Sequence, residues 1–144
     1  MSKLPVLLRI VGSQTPEGEK PEAVELTTEG TLWQEEDHFC VRYEESALTG
    51  LEGVTTTFSV WPGRIVLSRT GAVQNQMEFV QGVVDQSLYD LGFGALLMEI
   101  RPIRVETAMS KIGGSFRMDY HLTIDRAASG KVSYEITVTP QSKK

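Results

Sequence analysis

The sequence predicts an all-β protein: a single antiparallel meandering β-barrel of about 8–10 strands with little helix. Three observations carry this. Apolar side chains recur at every second position through most of the chain; no window of about 11 residues holds an i, i+3, i+4, i+7 apolar pattern; and the periodic segments, rich in Val, Thr, Ile and Tyr, are joined by short turns. With 144 residues, 40% hydrophobic and 23% charged, the chain reads as one domain, 1–144. It is long enough to bury about two thirds of its unfolded surface without disulfide or metal.

Each element follows from its own alternation. A first strand, Pro5 to Ser13, leads into TPEGEKPE, which reads as a mobile loop over 14–22; residues 1–3 and 141–144 read as disordered tails. Val24, Leu26, Thr28, Gly30 and Leu32 share one face of a strand that turns through Glu35-Glu36-Asp37 into Phe39, Val41 and Tyr43. Leu48 and Leu51, between the glycines at 50 and 53, have the composition of a flap over 47–53. Thr55 to Val60 and Arg64 to Arg69 flank Trp61-Pro62-Gly63, and Gly82 separates Val73–Gln81 from Val83–Tyr89. From Leu96 to Ile100 the apolar face lies on even numbers, but beyond Pro102 it moves to odd ones, Ile103 and Val105. A phase slip across a proline indicates a β-bulge, which bends a strand where a sheet curls into a barrel. Phe116, Met118, Tyr120, Leu122 and Ile124 then alternate with polar residues, and after an expected turn at Ala128-Ser129-Gly130 so do Val132, Tyr134, Ile136 and Val138. The chain ends in a hairpin with one wet face.

Charge and cysteine usage exclude several classes. The net charge of −5 is concentrated between residues 17 and 45, where ten acidic side chains face only Lys20 and Arg42. Such a surface repels phosphate backbones, so nucleic acid is not expected as a partner. The apolar run in MSKLPVLLRIVG is short and broken by Pro5 and Arg9, and no apolar stretch is long enough to span a bilayer. Neither secretion nor a membrane is expected. The single cysteine, Cys40, and two histidines give no metal-ligand spacing, and the expectation is a cytoplasmic protein without cofactor or metal.

Several short motifs occur in a fixed order: Tyr43-Glu44-Glu45 with Gly50 in VRYEESALTG, the Thr-rich TTTFSV strand, Arg69 and Gly71 in SRTG, and Met77 with Phe79 in QMEF. Tyr89-Asp90 and Gly94 in YDLGFG follow, then Gly114 and Tyr120. In these motifs the chain resembles the YwiB-like proteins of Gram-positive bacteria, a family of unknown function. The resemblance implies a calycin-like (lipocalin-type) β-barrel and leaves activity open. One segment departs: after its Tyr-Asp pair the family often has a Thr-Pro-Tyr-Gly type sequence, where this chain has Leu91-Gly92-Phe93-Gly94.

Alternation also nominates interior residues. Tyr43, Phe58, Met77, Phe79, Met98, Phe116, Met118 and Tyr120 fall on core phases and either fill the barrel or wall a pocket for one small apolar or acyl-type ligand. Asn75 shares the phase of Val73, Met77 and Phe79, so its amide points inward and needs partners. Arg69, in phase with Ile65 and Leu67, suits a bidentate grip on a carboxylate or an ion pair with Glu44, Glu45 or Asp90. The expected ligand-binding set is Tyr43, Arg69, Asn75, Met77, Tyr89, Met98 and Tyr120. No catalytic residue is expected: Cys40 and His38 share a strand face with nothing to orient the histidine as a base. Trp33, on the face of Glu25, Thr27, Glu29 and Thr31, reads as an indole on a wet phase, suited to a homodimer contact or to covering a barrel end, or equally buried by a neighbouring loop. Three functions remain open: a small-molecule binding protein, a solid interaction or assembly module, and a small isomerase or hydrolase.

Overall fold

The computed structural model describes residues 3–15, 22–46 and 51–141. Among them are ten strands and no helix: β1 (Leu4–Thr15), β2 (Glu22–Gln34), β3 (Phe39–Glu44), β4 (Val54–Trp61), β5 (Arg64–Gly71), β6 (Asn75–Val80), β7 (Asp85–Asp90), β8 (Ala95–Ser110), β9 (Gly113–Ile124) and β10 (Ala127–Pro140). All ladders are antiparallel, in the order β6-β5-β4-β3-β2-β1-β10-β9-β8-β7. Neighbours in sequence are neighbours in space, except that β10 returns to lie beside β1, with Val6 opposite Pro140. The mid-chain strands β6 and β7 therefore form the sheet edges.

Those edges meet and nearly close a barrel. Their seam has two isolated backbone bridges, Gln74 with Asp90 and Val80 with Val83. Side chains supply further links: Asn75 Nδ2 donates to Leu88 O (3.1 Å) and Ser87 Oγ (3.3 Å), and Glu78 N donates to Asp85 Oδ2 (2.9 Å). The β8 ladder shifts register between Pro102 and Arg104, at the expected phase slip. Pro102 has no N–H to give, its carbonyl accepts from Gly82 N at 3.0 Å, and Ile103 is thrown outward.

Inside, alternation yields a packed core. Val54, Thr56, Phe58 and Val60 of β4 are buried, as are Ile65 and Leu67, Met77 and Phe79, and Val6, Leu8 and Ile10 on facing strands. Phe58 stacks on Tyr43 at 6.3 Å between ring centres and meets the edge of Phe116 at 5.1 Å; Phe79 tilts against Tyr120 at 4.9 Å. These rings bring together residues from opposite walls, and the middle of the barrel is filled with side chains.

Four local expectations are revised. The β9–β10 turn lies at Asp125 and Arg126, both with positive φ (49° and 69°), while the ladder irregularity at Ala128 and Gly130 is a bulge inside β10. Aspartate tolerates the left-handed region, and Asp125 is further fixed by Leu97, whose N donates to its Oδ1 at 2.9 Å. Trp33 and Cys40 are cross-strand partners on the outer face, yet both are buried. Lys3 and Arg42 lie over the indole at 5.0 and 4.8 Å, and its Nε1 donates to Glu35 at 2.6 Å, so at 8% exposure Trp33 is not an open contact. Gln14, Thr15 and Glu22 lie in ladders, and the rest of the expected loop, 16–21, is outside the described residues, as are 47–50 of the flap. At the tails, Lys3 covers Trp33 and Gln141 Nε2 donates to Val6 O; residues 1–2 and 142–144 are outside the described set.

Candidate functional site

One layer of the barrel is polar. From β3 to β5 the cross-strand register pairs Tyr43 with Thr56 and Thr56 with Arg69, and Arg69 with Asn75 on β6. The Asn75 side chain crosses the seam to Ser87, which pairs with Met98, and Met98 pairs with Ile124. Five consecutive strands, β3 to β7, thus contribute Tyr, Thr, Arg, Asn and Ser to one girdle. The next positions inward, Val41, Phe58, Leu67 and Met77, are apolar and again partners of one another. The girdle therefore sits on a packed apolar floor.

Its hydrogen bonds are unevenly satisfied. Glu45, two residues beyond Tyr43 and buried, accepts from Thr56 Oγ1 at 2.5 Å. Arg69 Nη1 donates to Asn75 Oδ1 at 3.4 Å, a long bond, while Arg69 Nε is buried without an acceptor. Of the carboxylates expected to pair with Arg69, Glu44 accepts from Thr55 at 2.7 Å and Asp90 from Gly92 N at 2.8 Å. Burial pushes the Tyr43 hydroxyl far above the usual tyrosine range, helped by the charge and hydrogen bond of Glu45; Arg69 opposes the shift. Burial does the same to Tyr120, helped by Tyr134 and again opposed by Arg69. Both tyrosines are therefore neutral hydroxyls in the field of one guanidinium.

Tyr43, Arg69, Asn75 and Met98 of the expected set share the girdle, and Tyr120 is electrostatically coupled to it. Met77 belongs to the apolar floor, and half-buried Tyr89 pairs with Leu96 beyond the girdle. Sequence reasoning does not single out Thr56, Ser87 or Tyr134. The signal is nevertheless present, since Thr56 is in phase with Phe58, and Tyr134 with Val132 and Ile136. Small hydroxyls in a Thr- and Ser-rich strand carry no mark of their own.

Two surface clefts among the described residues flank β3. One, of about 210 Å³, is lined by Glu29, Gly30, Thr31, Arg42, Tyr43 and Glu44, where β3 leaves β2. The other, about 330 Å³, lies near the β2–β3 and β4–β5 turns and is bordered by Asp37, His38, Phe39, Trp61, Thr107 and Met109 among others. Here the histidine is oriented after all: its Nδ1 lies 2.8 Å from Asp37 Oδ1, and its ring stacks on Trp61 at 4.1 Å. The bonds from His38 and from Trp61 hold the Asp37 carboxyl below the usual aspartate range. Thr107, the hydroxyl at this cleft, accepts from Gly63 N at 2.9 Å. Cys40 lies within 3.8 Å of Ser59 Oγ, and burial raises its thiol, an inert arrangement. Among the described residues no group of three His, Cys, Asp or Glu could hold a metal ion, and no helix is long and apolar enough to cross a membrane.

A ten-stranded antiparallel barrel, packed through its middle and carrying one polar girdle, defines the class of this protein. The chain belongs to the family described as domain of unknown function DUF1934, whose model matches residues 8–136. In fold it is similar to the crystal structure of the ywiB protein from Bacillus subtilis, with a TM-score of 0.81 and 19% identity over 97% of this chain and 94% of that one. No curated protein matches the chain.

Proposed function

We propose that the protein binds a small, largely apolar molecule of acyl type at the girdle, with Arg69 holding its carboxylate and Asn75 fixing the guanidinium. The observation that carries this reading is the buried Arg69 Nε without an acceptor. A guanidinium has five N–H donors and matches a carboxylate side-on through Nε and Nη2, so an Nε without acceptor leaves that edge of the fork unused while Nη1 makes its long bond to Asn75. Tyr120, kept protonated, offers a neutral donor, while the Tyr43 hydroxyl is held by Glu45. Half-buried Leu26, Met98, Ile124 and Tyr134, packed against the core, supply apolar wall. Because the layers beneath are filled, the ligand is short and rests on the floor instead of threading the barrel, as in a calycin-like barrel with its pocket reduced to one layer. The reading is one of binding, and the single buried thiol suits a reducing cytoplasm.

Calorimetric titration with octanoate and octanol tests it. A charge-assisted bond contributes about 1.5–3 kcal/mol, so octanoate should bind about 10- to 100-fold more tightly than octanol, and Arg69→Met should abolish the difference. Equal affinities for the two probes, or a preference that survives Arg69→Met, overturns the assignment.

A further inference from the structure

The β1–β2 ladder runs from Leu4 opposite Leu32 to Gln14 opposite Glu22, whereas β2 pairs with β3 only from Thr31 to Gln34. Gly30 is where they part. A Cβ there would meet Leu8 Cδ1 at 2.8 Å on the inner side and the Arg42 carbonyl at 2.7 Å, so β3 presses inward over Gly30 and leaves the line of β2. Glu45 N then donates to Val54 O, which continues β3 toward β4 and away from β2. Among the described residues, the β2 edge from Ala23 to Gly30 has no strand on the side away from β1.

We infer that this edge accepts an extended peptide that alternates apolar and basic side chains. An exposed edge offers a row of backbone donors and acceptors to an added strand, and the residues on either face set which strand fits. Outward, β2 presents Glu25 and Glu29, in the most acidic part of the chain. Inward it presents Leu26 and Val24, the latter 67% exposed, a large apolar side chain without cover from the described residues. Arg9 Nε binds Glu25 at 2.6 Å and Arg42 lies on Trp33, so a basic side chain of the peptide meets Glu29 directly and shares Glu25 with Arg9. A strand with Val on one face and Lys on the other matches both surfaces, and the 210 Å³ cleft at Gly30, Tyr43 and Glu44 receives its end. A second copy of this edge would set Glu25 and Glu29 against their own kind, which disfavours self-pairing.

The test uses an end-capped seven-residue peptide of alternating Val and Lys on the whole protein, read by amide hydrogen exchange and chemical-shift titration. The peptide should bind saturably and slow exchange of alternate amides between Ala23 and Gly30. Glu25→Lys with Glu29→Lys, at unchanged Tm, should weaken it by at least about tenfold, and N-methylation of alternate peptide amides should abolish binding. Protection elsewhere, equal binding of a Val–Glu peptide, indifference to the double substitution, or dimerisation through this edge overturns the inference.

Discussion

Arg69→Met isolates the energetics of the girdle. The substitution keeps an unbranched apolar stem and removes the guanidinium. A buried donor without partner costs about 1–3 kcal/mol, so deleting Nε relieves strain of that size. Against this stands the loss of the bond to Asn75 Oδ1, which at 3.4 Å contributes no more than about 1 kcal/mol, and the desolvation of the Oδ1 atom left behind, about 1 kcal/mol more. The two sides nearly cancel, and the stability change should fall within about 1 kcal/mol of zero, or about 2–4 °C in Tm for a domain of this length. Urea unfolding followed by Trp33 and Trp61 fluorescence reads this as a midpoint shift at constant m. An arginine needed for the fold behaves differently, because breaking a satisfied buried pair costs about 3–5 kcal/mol. A loss above about 2 kcal/mol would make Arg69 a structural residue and refute the argument that its Nε awaits a ligand.

Other expectations follow from the core and from titration. Phe116→Ala, emptying the ring that meets Phe58 edge-on, should lower stability by about 3–5 kcal/mol in the same urea assay. Tyr43 and Tyr120 have folded pKa values raised above their unfolded ones; their contribution is complete below about pH 10 and is lost as pH rises above it. Ultraviolet titration should therefore show these two tyrosines ionising only together with alkaline unfolding. Asp37 is the opposite case, its folded pKa depressed, so its support for Trp61 and His38 is present above the ordinary aspartate value and fades below about pH 4. Indole fluorescence should shift there, and Asp37→Asn should show the low-pH spectrum at neutral pH.

Period-two alternation is a one-dimensional signal of a one-dimensional fact, which side of a strand is dry, and it located the core from Leu32 to Val138 and the bulge at Pro102. It also placed Tyr43, Arg69 and Asn75 indoors. What alternation cannot carry is register. That Thr56 stands between Tyr43 and Arg69, and that Asn75 reaches Ser87 across the seam, depends on how strands far apart in sequence are staggered. The outer face misled for a related reason. Trp33 and Cys40 occupy wet phases, but Lys3, Arg42 and Glu35 close over the indole, and nothing in the spacing of one strand announces long side chains arriving from others. The Asp125-Arg126 turn escaped notice because neither residue is glycine, although aspartate is one of the few others that tolerate positive φ.

The ladder between β1 and β10 has a kinetic meaning. It fastens the first strand to the last in the middle of the sheet, while every other ladder joins strands adjacent in sequence. Two meanders, β1 to β6 and β7 to β10, can each zip locally from their turns, but their union requires closing a loop of nearly the whole chain before any bond rewards it. Folding should therefore be limited by that single non-local event. A chain reconnected from Gln141 to Lys3 and opened at Gly82, the turn between β6 and β7, would carry its strands in the order the sheet already has. Its barrel would be the same, and its slowest pairing would become the side-chain-stitched seam, already the weakest line in the wall.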